Sequence, residues 1–285
     1  MHVIHHATVR ELLGRTAPLA WRRPEEHKLP VDILEGVGEL ARVTHLRPVA
    51  RLLEVARGQE PLGLALQTPP RNLVLGPMPE EAAACLAVEL RARGAELPGV
   101  LGPVAAARAF AGAFRPPGGA PACERMAMRL YRCAAPRPPA RPVPGRLRPG
   151  AWEEADLLTA WQAAFIRETG VSDDPAHARE AAEVHLHEGR MYVWEDERGV
   201  ARACIAHGGR ALGLARVYGV FTPPAARGRG LAAAMTAALT ARLLEGHASA
   251  AVLFADLANP TSNGVYQRVG YTPVSDWLEL SLGAG

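Results

Sequence analysis

A chain of 285 residues, 48% hydrophobic and 21% charged, is long enough for two ordinary domains and too apolar to stay disordered. Its formal net charge of +3 is small and its basic residues are scattered, which excludes the dense positive tract expected of a nucleic-acid binder. No apolar run reaches the ~20 residues of a membrane helix, the start lacks the apolar core of a signal peptide, and Cys85, Cys123, Cys133 and Cys204 show no CxxC spacing. The expectation is a cytoplasmic protein with no membrane partner, no metal and no disulfide framework. Lys28 is the only lysine, and arginine with abundant Ala, Gly and Pro reflects a GC-rich coding genome, as in many bacteria.

In chain order, the terminal histidines His2, His5 and His6 are expected to lie on a frayed end. Helical spacing follows at about 7–15 and 31–42, then strand-like runs at 50–56, 62–67 and 72–76. PEEAAACLAVELRARG (79–94) reads as a helix, with Pro79 at its start and Gly94 just past its end. LPGVLGP, an Ala-rich helix to about Phe114, and a strand at 125–132 complete this half. Residues 134–150, AAPRPPARPVPGRLRPG, are so dense in proline that they continue neither a helix nor a central strand, so 136–148 reads as a semi-rigid linker.

Beyond it helix and strand alternate. Leu157, Leu158, Trp161, Ala164 and Phe165 carry helical spacing over 151–168, and a second helix is expected after Asp174-Pro175, with Asp174 as its cap. Residues 191–209 read as a hairpin turning at Glu197–Gly199, followed by a strand at 211–222. A helix over 230–244, a buried strand at 250–257, a short helix at 261–269 and two closing strands, YTPV and WLELSL, follow. The fold class is α/β, a mixed sheet flanked by helices.

Residues 216–235, RVYGVFTPPAARGRGLAAAM, carry the chemistry. A β-branched and aromatic strand runs into a Pro-Pro break, a glycine-bearing basic loop and an alanine-rich helix. That order sets a row of backbone N–H groups at a helix N-terminus, where an anion such as a pyrophosphate is held. Gly228 and Gly230 remove the Cβ atoms that would block close approach, and Arg227 and Arg229 add positive charge. A second segment, NPTSNGVYQRVGYTPV (259–274), lies downstream.

Together the two segments resemble the acetyl-CoA-binding core of the GCN5-related N-acetyltransferases (GNAT). The family's Arg/Gln-x-x-Gly-x-Gly/Ala loop is matched by Arg227, Gly228, Arg229, Gly230, Leu231 and Ala232, and its later motif by Asn259, Tyr266 and Gly270-Tyr271. The resemblance covers roughly residues 146–285. It implies a GNAT fold over 149–285, with acetyl-CoA as acyl donor and a small-molecule amine as acceptor. It also implies a backbone N–H of Val220 aimed at the developing oxyanion, Phe221 and Thr222 along the pantetheine arm, Asn259 near that arm, and Tyr266 as the acid that protonates the leaving sulfur. Splaying of the strand around Gly219 would leave these groups unpaired.

Histone-type members carry a Glu four residues before the position of Val220, and here Arg216 stands there. Glu168, Asp173, Asp174 and Glu195 are the nearby carboxylates, each read as a surface charge; a water chain could take the proton instead, and Arg216 could face an acidic substrate. His185 and His187, with His177, invite a metal reading, yet positions i and i+2 of a helix face apart. Cys204 reads as a small buried hydrophobe, and Asp256 as structural or cofactor-proximal. The first half, 1–135, follows a similar element order without the Arg-x-x-Gly-x-Gly/Ala loop, which makes it either a degenerate copy of the same fold, as in mycothiol-synthase-like tandem proteins, or an unrelated α/β domain. The leading expectation is an N-acetyltransferase acting on a small primary amine or amino acid. A non-catalytic acyl-CoA sensor and a protein or peptide N-acetyltransferase are the alternatives, and a homodimer stays open.

Overall fold

The computed structural model describes residues 1–44, 50–116, 118–170 and 175–283. Two compact units emerge: 1–130 with 254–259 and 273–285, and 131–253 with 260–272.

In chain order the first half contains β1 (His2–His5), α1 (Val9–Arg22), α2 (Pro24–Thr44), β2 (Arg51–Arg57), β3 (Glu60–Gln67), β4 (Leu73–Leu75), α3 (Glu80–Ala92), β5 (Gly99–Pro103), α4 (Val104–Phe114) and β6 (Cys123–Cys133). The second half contains β7 (Arg146–Pro149), α5 (Ala155–Thr169), α6 (Pro175–His187), β8 (Met191–Glu195), β9 (Ala201–His207) and β10 (Leu214–Phe221). It closes with α7 (Leu231–Glu245), β11 (Ala250–Asp256), α8 (Pro260–Val269) and β12 (Thr272–Ser281).

In the first unit β1, β2, β3 and β4 are successive antiparallel neighbours, β5 runs parallel to β4, and β12 lies antiparallel on β5. Leu53, Val55, Leu73, Leu75 and Val100 of this sheet pack against Leu86, Leu90 and Phe110 of α3 and α4. A second cluster on Leu52, Leu64 and Leu66 meets Leu12 and Leu34 of α1 and α2. Helices therefore cover the sheet with apolar side chains from both directions of the strand alternation. Thr8 starts α1 with a capping box: its hydroxyl accepts from the Glu11 N–H at 3.2 Å, and Glu11 accepts in return from the Thr8 N–H.

Two expectations change here. The terminal histidines are not frayed: β1 pairs with β2, and His6 Nε2 lies 2.8 Å from the buried Glu54 carboxylate, which also takes Arg15 at 2.9 Å. A carboxylate with no exposure needs such partners, and they draw the N-terminus onto the sheet. The chain also ends in one continuous strand, β12, not two, since Trp277 to Ser281 align with Pro103 to Gly99 and Trp277 is wholly buried.

In the second unit β7, β8, β9 and β10 are antiparallel neighbours, and β11 runs parallel to β10 over Leu214–Arg216. Its core joins Leu158 and Ala182 of α5 and α6 to Met191, Val193, Cys204 and Phe221 of the strands. The proline-rich stretch read as a linker lies against this unit. The Arg137 N–H donates to the Val269 carbonyl at 2.7 Å, and the Trp194 indole donates to the Pro144 carbonyl at 2.9 Å. Proline has no N–H to continue a ladder, so the segment is held by isolated bonds, one through a backbone donor and one through a backbone acceptor.

Candidate active site

β10 is regular for five residues and then leaves the ladder. It matches β11 only at Leu214–Arg216, and its register with β9 shifts between Tyr218 and Phe221. Gly219, inside the shift, has φ of +61°, a backbone setting that costs a residue with a Cβ about 1–2 kcal/mol. A Cβ there would also lie 3.1 Å from the amide of the buried Gln162. Neither strand aligns a partner with Gly219 or Val220. A bulge of this kind re-aims backbone groups, and here it does so at the residue expected to carry the oxyanion donor.

The chain then meets Pro223, makes one short turn at Pro224–Ala226 and reaches the basic loop. Gly228 and Gly230 have φ of +77° and +79°. Gly228 has open space where its Cβ would be, so its role is the backbone conformation; at Gly230 a Cβ would also press on Val143 Cγ2 at 3.2 Å. Gly230 sits in the N-cap position of α7 and offers no capping side chain, no side-chain cap is found among the described residues, and no acidic residue occupies the first turn. The N–H groups of Leu231 and Ala232 therefore sit at a helix end that lacks a side-chain acceptor and carries the positive pole of the helix.

Arg227 is less open than expected. Its Nη2 donates to both carboxylate oxygens of Glu168 at 2.7 and 2.8 Å, and its Nε donates to the Thr222 carbonyl at 2.9 Å. Glu168, one of the carboxylates considered as a base, is thus engaged in holding the loop. Arg229 makes only a long contact, 3.4 Å, to the Ala225 carbonyl. Among the described residues the buried Thr222 hydroxyl has no hydrogen-bond partner. Such an orphan costs about 1–3 kcal/mol unless something else satisfies it, which fits a group that accepts a ligand's amide.

Tyr266 lies on α8, buried, with its ring edge-on to Tyr271 at 6.1 Å. Burial pushes its phenol up to about 12. Helix α8 is tied to β6 through Tyr131, which donates to Asn263 at 2.7 Å and accepts from Gln267 at 3.2 Å. Tyr271 is buried against Thr240, 2.7 Å away. Asn259 is exposed just before α8, and its N–H donates to the Asp256 carbonyl at 3.1 Å. Asp256 Oδ1 accepts from the Ala258 N–H, so this carboxylate shapes the turn.

The remaining candidates separate. Glu195 is held below the usual carboxylate range by hydrogen bonding from Arg148, with Arg146 adding to it. Asp173, Asp174 and the side chain of His177 lie outside the described residues. Cys204 is wholly buried, which pushes its thiol up to about 12, so it is inert. His187 is exposed, whereas His185 reaches β10 and hydrogen-bonds Tyr218. Arg216 stacks its guanidinium 4.5 Å over the Tyr218 ring. Nothing in the residue order singles out Tyr218: a tyrosine in a strand reads as core, and its partner lies 33 residues away.

Residues 148–274 match the family model described as an acetyltransferase (GNAT) domain. No curated protein matches the chain. Among solved structures, a GCN5-related N-acetyltransferase from Sphaerobacter thermophilus is similar with a TM-score of 0.62 at 15% identity, covering 99% of this chain and 96% of that one. A GNAT-family acetyltransferase from Colwellia psychrerythraea is similar with a TM-score of 0.60 at 9% identity, covering 99% of both chains. A tandem GNAT protein from the clavulanic acid biosynthesis pathway is similar with a TM-score of 0.54 at 15% identity, covering 83% of this chain and 84% of that one. At these identities the likeness is one of fold, and it extends over both halves of the chain.

Proposed function

We propose, from the match of residues 148–274 to the acetyltransferase (GNAT) domain, that the chain transfers the acetyl group of acetyl-CoA to the primary amine of a small molecule or amino acid. The observation that carries the proposal is the break in β10 at Gly219–Val220, running directly into the side-chain-uncapped N-terminus of α7 behind two glycines of positive φ. The pyrophosphate of the donor would lie on the N–H groups of Gly228 to Ala232, with Arg229 nearby. Phe221 and the unsatisfied hydroxyl of Thr222 would line its pantetheine arm, and Asn259 is proposed as a further contact.

In the reaction the amine nitrogen attacks the thioester carbonyl carbon. The C–N bond forms, negative charge builds on the carbonyl oxygen, and the C–S bond breaks with its electron pair on sulfur. The Val220 N–H donates to the oxygen as charge develops, a contribution worth about 3 kcal/mol in comparable sites. Tyr266 gives its proton to sulfur. Its burial keeps the phenol protonated at neutral pH, so the acid is in its working form.

Titrating the protein with acetyl-CoA by calorimetry, then following thiol release with pooled amines, tests this reading. Binding with CoA release in one pool supports it. Binding without release in pools of small amines and peptides identifies an acyl-CoA-binding module instead, and absence of binding rejects the site.

A further inference from the structure

We propose that Tyr218 and His185 form the proton relay on the acceptor side: Tyr218 takes the proton of the attacking ammonium and His185 receives the phenol's proton in turn. The proposal rests on the transferase reading above. Arg216, Tyr218 and Val220 are the half-buried members of the outer part of β10, alternating with the buried Val217, Gly219 and Phe221. Tyr218 is the last residue of β10 aligned with β9 before the shift, and Val220 follows it across the bulged Gly219. Its hydroxyl contacts His185 Nε2, reaching from α6, and lies 3.3 Å from the His207 carbonyl. The rings of Tyr218 and His185 are 5.2 Å apart.

Three of the carboxylates considered above are engaged elsewhere. Glu168 is bound to Arg227, Glu195 to two arginines, and Asp256 to its own turn. Arg216, where a carboxylate would stand in histone-type relatives, lies across the Tyr218 ring and cannot accept a proton at all. A phenol backed by an imidazole can. One N–H proton moves to Tyr218 Oη while the phenolic proton moves to His185 Nε2. The nitrogen keeps the electron pair and uses it to form the bond to the carbonyl carbon. The nitrogen's second proton then passes to the Tyr266 phenolate and the His185 imidazolium releases the first, leaving the neutral amide, the thiol and one free proton.

The relay predicts a dependence on the acceptor that a packing role would not give. With an alkylamine, which is an ammonium ion at neutral pH, Tyr218→Phe and His185→Gln lose on the order of 10²-fold in turnover. With a hydroxylamine-type acceptor, already neutral, the loss shrinks to less than about tenfold. Equal losses for both acceptors overturn the relay. A second measurement needs no acceptor. In long-range proton–nitrogen spectra of the full chain, neutral His185 should carry its proton on Nδ1, leaving Nε2 to accept from Tyr218. A proton on Nε2 in the unaltered protein overturns the relay. Acetyl-CoA affinity stays within about twofold in both variants, since neither residue belongs to the donor site. Failure of the unaltered protein to bind acetyl-CoA overturns the transferase reading and the relay with it, whereas retained binding with acceptor-independent losses overturns the relay alone.

Discussion

Each unit contains a strand, a short loop and a helix in the same order, and the two loops are built for opposite ends. In the first unit β4 ends at Leu75, and Gly76-Pro77-Met78-Pro79 leads into α3. Glu80 and Glu81 fill the first turn of α3, supplying negative charge where the helix pole is positive. Met78 packs so closely on β3 that a Cβ at Gly63 would meet its side chain at 2.5 Å. In the second unit the corresponding loop carries two glycines of positive φ, two arginines, and no acid in the first turn of α7. Neither helix has a side-chain cap at its N-terminus. An uncapped end is therefore not what distinguishes them: charge, glycine and unfilled space are. A helix N-terminus becomes an anion site only when its neighbours leave room for the anion.

The largest break in that contrast comes from Gly230→Asp. A carboxylate at the pyrophosphate position sets like charges together at a cost of several kcal/mol, so acetyl-CoA affinity falls by more than about 100-fold. Asp tolerates positive φ better than most residues, so an unchanged circular-dichroism spectrum accompanies the loss. Next in size is Tyr266→Phe, which slows turnover by on the order of 10²-fold while acetyl-CoA affinity in calorimetry stays within about threefold. The sign of its pH dependence follows from burial. Because the phenol is pushed up to about 12, its proton is lost only as pH rises toward that value. Tyr266 thus imposes no fall in turnover between about pH 7 and pH 10.

Arg227→Ala has a smaller effect. Its charge is already offset by Glu168, so affinity drops about three- to fivefold, and the exposed pair contributes no more than about 1 kcal/mol to stability. A melting point lowered by more than about 5 °C would show that the pair holds more of the loop than this. The smallest effect is expected from Glu80→Gln with Glu81→Gln in the first loop. Removing that charge leaves Met78 in place and supplies no glycines, so acetyl-CoA stoichiometry stays unchanged and affinity moves by less than about twofold.

Much of this was legible in residue order. The Arg227–Ala232 loop announces its conformation because glycines spaced by one residue before an alanine-rich helix have few other uses, and both glycines adopt positive φ. Periodicity found most elements to within a few residues, from 80–92 to 260–269. What it missed depends on distant partners. β1 forms because buried Glu54, some fifty residues on, binds His6. The proline-rich stretch reads as a spacer because proline excludes regular structure, yet Pro144 accepts from the Trp194 indole and Val143 lies where a Cβ on Gly230 would fall. Arg227 reads as free positive charge until Glu168, 59 residues away, is placed beside it. The pairing of Tyr218 with His185 belongs to the same class.

The central claim is that one of the two loops, and only one, binds the acyl donor. Calorimetric titration of the full chain with acetyl-CoA, beside the same titration of Gly230→Asp, tests it most directly. The account predicts one site per chain in the unaltered protein and none in the variant. Two sites per chain, or a single site that survives Gly230→Asp, would contradict it.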